Sequence, residues 1–243
     1  MLPWNRFSEF AVPTDAERRA IEVLIDPPMT FQKGQRLRSE GDRSDAVYLL
    51  RTGWFAASVE LPSGDRQIVK LQLPGDLMGS PSIALQQAAE TLTALSISSV
   101  SAIPHDRLMG LFTTAPRIAA MMFLSAQRER VALMDMLIAV GRSSSLARMA
   151  SLLLELYRRL SLIGMASDYQ LEVPLTQDQL ADVVGVTAVH VNRVLRELET
   201  RGLITRRMHH ITLINIDALG EIAAPIERRH VRDPDWLPPP LID

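Results

Sequence analysis

The chain contains no cysteine, which excludes disulfides, thiolate-held iron–sulfur clusters and cysteine-based zinc sites. Histidine is scarce where a catalytic sandwich would need it. Residues 1–115 hold a single one, His105, whereas a metal-dependent jelly-roll enzyme needs several imidazole or carboxylate ligands inside its barrel. No nucleophile elbow, phosphate loop or paired-carboxylate motif is present. Neither catalytic residues, nor a metal site, nor a cofactor is expected. Long apolar runs are missing as well. The longest uncharged stretches, near 77–89 and 91–104, contain proline or many Ser, Thr and Gln and are too short to span a bilayer. The opening Met1-Leu-Pro-Trp-Asn-Arg6-Phe7 has no basic segment followed by an apolar core. No signal peptide and no membrane partner are therefore expected, and the cytoplasm is the expected location.

What is present is enough for two modest domains with cores of their own: 243 residues, 47% hydrophobic and 22% charged. The net charge is −2, yet positive charge is concentrated in one place. Residues 187–211 hold five arginines and two glutamates, 5 − 2 = +3.

That region belongs to the most specific pattern in the chain, residues 174–214. Thr176 with Gln179 three residues on is a capping box, which predicts a helix starting near Gln177. Leu180, Val183 and Val184 give it an apolar stripe, and Gly185 supplies the turn. Thr187 then caps a second helix. In it Val191, Val194, Leu195 and Leu198 fall at i, i+3, i+4 and i+7, a complete buried stripe. Val189, Arg193 and Arg196 lie opposite, flanked by His190 and Asn192. Arginine and asparagine there suit guanine O6/N7 and adenine N6/N7. Thr187 and His190, near the helix N-terminus, suit phosphate contacts that fix register. A hairpin follows over Leu203–Leu213, with Arg206, Arg207, His209 and His210 at its tip, as a phosphate-touching wing would have. A metal pair at His209 and His210 is disfavoured, because adjacent strand residues point to opposite faces. The candidate nucleic-acid surface is thus Thr176, Gln177, Thr187, Ala188, Val189, His190, Asn192, Arg193, Arg196, Arg206, Arg207 and His209.

The first half has a different period. Thr14 and Glu17 form another capping box, for a helix to about Ile25. Phe55, Ala57, Val59 and Leu61 then alternate with Ala56, Ser58 and Glu60. Val69, Leu71 and Leu73 alternate with Lys70 and Gln72, and Ser and Thr alternate with apolar residues from Thr91 to Ile103. Turn signals at Thr52-Gly53, Pro62-Ser-Gly64-Asp65 and Pro74-Gly75-Asp76 separate the runs, so a β-sandwich or small barrel is expected. A short helix from His105 to Phe112 and a long one from Pro116 to about Arg142 follow. The long helix is apolar on nearly every face over Leu133–Val140, so it should pack on its own domain and on a partner. Arg128, Glu129 and Arg130 interrupt any clean heptad seam. Gly141–Ser145 reads as a hinge, Leu146–Leu162 as a helix, and the chain closes with a short helix from Asp217 to about Ala224. The Pro-rich end is expected to be extended, with Trp236 the residue that could dock.

Sandwich, long helix, serine hinge and winged helix, in that order, resemble the cyclic-AMP receptor protein/fumarate–nitrate reductase regulator (Crp/Fnr) superfamily over about residues 20–217. The matches are Val47-Tyr48-Leu-Leu-x-x-Gly53, Leu73-Pro-Gly75-Asp76-x-x-Gly79, and Leu175-Thr-Gln-x-x-Leu180-Ala-x-x-x-Gly185-Val-Thr-x-x-x-Val191-x-Arg193. The resemblance implies an α+β chain divided into a cyclic-nucleotide-binding-like jelly roll (1–115), a dimerisation helix (116–142), a winged helix-turn-helix (143–217) and a C-terminal helix and tail (218–243). It implies a homodimer on palindromic double-stranded DNA, with RNA polymerase and an unidentified small-molecule effector as further partners. An effector pocket would involve Leu77, Gly79, Ser80 and Thr91. Two departures stand out. Cyclic-nucleotide binders of the family carry Gly-Glu for the ribose and Arg-Ser or Arg-Thr for the phosphate. Here Gly79 is followed by Ser80-Pro81, and the later run reads Ala89-Glu90-Thr91, with no arginine in reach along the sequence. Glu90 would repel a phosphate. Val189 also stands where many members carry a glutamate that accepts from cytosine, and valine instead suits a thymine methyl. The alternative is a sensing module whose winged helix binds protein; the arginine-bearing face favours nucleic acid.

Overall fold

The computed structural model describes residues 9–226, 228 and 231–242. The opening segment, residues 1–8, which bears on the signal-peptide expectation, lies outside them. The chain divides into two compact units. Of the described residues, one comprises 9–59, 71–131 and 231–242, the other 60–70, 132–226 and 228.

In the first unit, Thr14 caps helix α1 (Asp15–Glu22) through the reciprocal bonds of a capping box with Glu17. The helix stops three residues before the expected Ile25. Eight strands then form two antiparallel sheets. They are β1 (Met29–Phe31), β2 (Arg36–Arg38), β3 (Ala46–Thr52), β4 (Phe55–Glu60), β5 (Arg66–Gln72), β6 (Leu77–Met78), β7 (Thr91–Ala94) and β8 (Ser98–Pro104). One sheet has the order β1-β8-β3-β6 and the other β2-β7-β4-β5, so sequence neighbours are split between sheets as in a jelly roll. Burial does not follow the expected alternation everywhere. Phe55, Ala56, Ala57 and Ser58 are all buried, because both faces of β4 are covered and small residues fill the alternate positions. On β5, Ile68 rather than Val69 is buried.

Helix α2 (His105–Thr114) and the start of α3 (Pro116–Arg142) close one side of the sandwich. Leu108, Leu111, Ile118 and Met121 share a core with Val47, Leu49 and Ile103. Each such side chain contributes about 1.5–3 kcal/mol relative to exposure. The C-terminal tail returns to this core. Leu237 and Leu241 pack on it, and Thr14 Oγ1 donates to the Leu241 carbonyl at 3.0 Å. The Glu17 carboxylate, fully buried, also accepts from Arg117 Nη1 at 3.3 Å. The two leucines are the docking residues, whereas Trp236 is 62% exposed.

Helix α3 is about 40 Å long at 1.5 Å per residue. Beyond Met121 none of its residues is buried within the single chain. Phe123, Ala126, Arg130, Leu133, Leu137 and Val140 are all exposed, at alternating intervals of three and four. An exposed line of heptad spacing therefore runs along α3. Of the three residues expected to break it, Arg128 pairs with Glu9 off the seam, and only Arg130 lies on it. The hinge is shorter than expected. Gly141 and Arg142 stay helical, and only Ser143 and Ser144 separate α3 from α4 (Ser145–Leu162), which Ser144 caps.

In the second unit, α4 is the central helix, burying Met149, Ala150, Leu153, Leu156 and Leu160. Around it lie α5 (Gln177–Val184), α6 (Ala188–Thr200) and α7 (Ile216–Ala223). A small sheet of order β11-β12-β10-β9 completes the unit. Its strands are β9 (Ala166–Ser167), β10 (Gln170–Glu172), β11 (Ile204–Arg207) and β12 (His210–Leu213). Among the described residues, no single helix is long and apolar enough to cross a membrane.

Candidate nucleic-acid interface

The local rules that set α5 and α6 also aim the side chains between them. Thr176 and Gln179 exchange both capping-box bonds, and Gly185 ends α5 at φ 73°, a left-handed conformation that glycine adopts without a Cβ penalty. Leu180, Ala181 and Val184 are the buried face of α5; Val183, assigned to that stripe from sequence, is half-buried. Thr187 caps α6, its hydroxyl accepting from the His190 amide. Val191, Val194, Leu195 and Leu198 are all buried. With that stripe anchored, the opposite face must point outward. Val189 is 81% exposed, and Arg193 and Arg196 are on the same outward side.

The ion pairs account for the local excess of positive charge. Glu197 takes Arg201 within α6, and Glu199 takes Arg206 at 2.7 Å. Among the described residues, Arg193, Arg196 and Arg207 make no ion pair, so the whole +3 resides on these three side chains. The hairpin β11–β12 is closed by Met208 and His209, with Met208 at φ 56° and Arg207 opposite His210. The His209 carbonyl accepts from Val173 N at 2.7 Å, which ties the turn to the end of β10. Arg207, Met208, His209 and His210 are exposed. Arg206, grouped with them from sequence, is instead half-buried against Glu199. Its side chain faces back toward α6 because it alternates with Arg207 on the strand.

Five further expected contact residues have partners within the chain. Asn192 donates through Nδ2 to Gln177 Oε1, which joins the start of α5 to α6. His190 uses both ring nitrogens: Nε2 lies 2.6 Å from Ser145 Oγ and Nδ1 lies 2.7 Å from Arg193 Nη2. Thr176 and Thr187 have their hydroxyls engaged in capping, and Ala188 opens the first turn of α6. Sequence reasoning missed Ser145, whose contact with the site spans 45 residues.

The sandwich presents a different chemistry. Gly79 has φ 80°, and a Cβ there would come within 3.1 Å of the Arg38 guanidinium. Arg38, from β2, donates to Glu90 Oε1 at 2.9 Å and to Ser82 Oγ at 3.2 Å. Arg38 and Glu90 are both buried, and Arg38 Nε and Nη1 have no hydrogen-bond partner among the described residues. The expectation that no arginine reaches this place is therefore corrected. Arg38 arrives from 52 residues away, and Glu90 is a neutralised carboxylate, not a free one. Burial raises the Tyr48 phenol above its ordinary pKa, and the Arg38 charge 5.8 Å from its ring opposes that rise. Of the other residues expected here, Thr91 is buried and accepts from Glu40 N at 3.0 Å, while Leu77 and Ser80 are half-buried. Among the described residues no cluster of His, Asp and Glu could hold a metal ion.

A capped two-helix unit with a basic outward face and a wing, in a chain that also carries a jelly roll, defines a winged helix-turn-helix DNA-binding regulator. Residues 147–222 match the Crp-like helix-turn-helix domain, and residues 28–115 match the cyclic nucleotide-binding domain. The fumarate and nitrate reduction regulatory protein of Escherichia coli strain K12 is 26% identical over 219 residues, covering 89% of this chain and 87% of that protein. The anaerobic regulatory protein of Pasteurella multocida is also 26% identical over 219 residues, covering 89% of this chain and 80% of that protein. FixK2 from Bradyrhizobium japonicum shares the fold with a TM-score of 0.74 at 23% identity, covering 83% of this chain and 98% of that chain. A transcriptional regulator of the CRP/FNR family from Thermus thermophilus does so with a TM-score of 0.65 at 20% identity, covering 82% and 98%. The chain belongs to the Crp/Fnr family of transcription regulators, which are not enzymes.

Proposed function

We propose that this regulator works in the cytoplasm as a homodimer that reads a twofold-symmetric operator, with Val189 and Arg193 of each α6 as its base-reading residues. The reading rests on the outward face of α6: one exposed valine and two arginines that make no ion pair among the described residues, on a helix locked from behind by four buried aliphatic side chains. Arginine donates to guanine O6/N7, and valine packs on a thymine methyl. Arg196 and Arg207 fix register on phosphates, which carry no sequence information. Arg206 has a smaller part, because Glu199 already neutralises it.

The second copy is supported by the exposed seam on α3. Leu133, Leu137 and Val140 are each at least half exposed in the single chain, and a seam of alternating three- and four-residue spacing suits a parallel pair of helices. Regulators of this architecture read half-sites about one DNA turn apart. For the sandwich, cyclic AMP is disfavoured: Glu90 already occupies the guanidinium a cyclic phosphate would need, and displacing it would bury an uncompensated charge.

Selection of binding sites from random duplexes tests the proposal. Recovered sites should be palindromic, with a thymine facing Val189 and a G·C pair facing Arg193. A required G·C pair opposite Val189, or asymmetric single half-sites, would overturn it.

A further inference from the structure

We propose that His190 is a positioning residue for Arg193, held by Ser145 so that its imidazole presents an acceptor to the guanidinium; this rests on the reading of α6 as the base-reading helix.

What each group can donate sets the direction of the contacts. Arginine has donors only, so the 2.7 Å contact between Arg193 Nη2 and His190 Nδ1 requires a lone pair on Nδ1. A neutral imidazole then carries its proton on Nε2, where it donates to Ser145 Oγ at 2.6 Å. Direction runs one way along the three residues: Arg193 donates to His190, and His190 donates to Ser145. Ser145 and His190 each sit at a helix N-terminus. Ser145 is the first residue of α4, directly after its cap Ser144. The amide of His190 is held by the Thr187 hydroxyl at 3.3 Å.

This arrangement changes the role assigned to His190 from sequence. With both nitrogens engaged inside the protein, its imidazole has no proton left for a phosphate. It acts through Arg193 instead. An exposed arginine has rotamer entropy to lose on ordering. An acceptor that holds the guanidinium before DNA arrives reduces that cost, which is how preorganisation raises affinity. The benefit falls on the one base pair Arg193 reads, because phosphate contacts elsewhere do not pass through this bond.

The test uses the full-length chain and a panel of duplexes: the selected site and versions with each base pair replaced in turn. His190→Phe keeps the ring and removes both polar atoms. His190→Gln supplies one acceptor and one donor in similar places. His190→Phe is expected to lower discrimination at the Arg193 base pair by about 5- to 10-fold while leaving preferences at other positions and non-specific binding intact. His190→Gln should restore most of it, and Ser145→Ala should show a smaller loss at the same base pair. Added to Arg193→Ala, His190→Phe should cost nothing further. Equal weakening across the whole panel would mark His190 as a phosphate contact and overturn the proposal. So would identical behaviour of the Phe and Gln variants. If Arg193→Ala alone left every preference unchanged, the parent reading of α6 would fail, which is a distinct result.

Discussion

Arg38 and Arg193 are the same side chain in opposite circumstances. Arg38 is buried in the sandwich, facing Glu90, Ser82 and the bare backbone of Gly79. Arg193 lies on the outward face of α6, with His190 beside it and no carboxylate partner among the described residues. A buried guanidinium must be neutralised by its own chain, because desolvation costs several kcal/mol per ion. A solvated one can remain unpaired at little cost and stay available for an external anion or base edge. The function of an arginine is set by what faces it. In the sandwich the charge is matched internally; on α6 it is left open to a partner.

The largest expected effect lies on the buried side. Glu90→Ala strands the Arg38 charge and should destabilise the protein by about 3–5 kcal/mol, read from denaturant unfolding. Replacing both members, Arg38→Met with Glu90→Leu, should come close to the wild-type value. If the single variant were neutral, the pair would not be buried in solution and the contrast would break. Gly79→Ala comes next, with a loss of at least about 1 kcal/mol, because it combines a positive φ with a Cβ against Arg38. An unchanged midpoint would mean that Arg38 moves aside freely.

The exposed side gives a finer contrast within one strand. Arg207→Ala should reduce the slope of log affinity against log salt by about 1 and weaken all sequences alike. Arg206→Ala should change it by less, since Glu199 already holds that charge. Equal slopes for the two variants would show that the Arg206–Glu199 pair opens on DNA.

Most of the winged helix was legible in the sequence, because its signals are local. The Thr176–Gln179 box, the Gly185 turn, the Thr187 cap and the stripe from Val191 to Leu198 all follow from rules acting within one or two helical turns. The antiparallel sandwich was legible as a class, from alternation and turn residues. What escaped depends on separation along the chain. Arg38 meets Glu90 across 52 residues, Ser145 meets His190 across 45, and Thr14 meets Leu241 across 227; no local pattern encodes such meetings. The exposed line on α3 escaped for another reason. Arg128, Glu129 and Arg130 look like one interruption in a linear reading, but on a helix they point three ways, and only Arg130 lies on the exposed line.

The most direct measurement is the affinity of Arg193→Ala for the selected operator and for the same operator altered at the facing base pair. The expected result is a loss of about 1–3 kcal/mol on the selected site, with both duplexes then bound almost equally. Wild-type affinity with wild-type discrimination would contradict the account, because the outward face of α6 would then not be the surface that reads DNA.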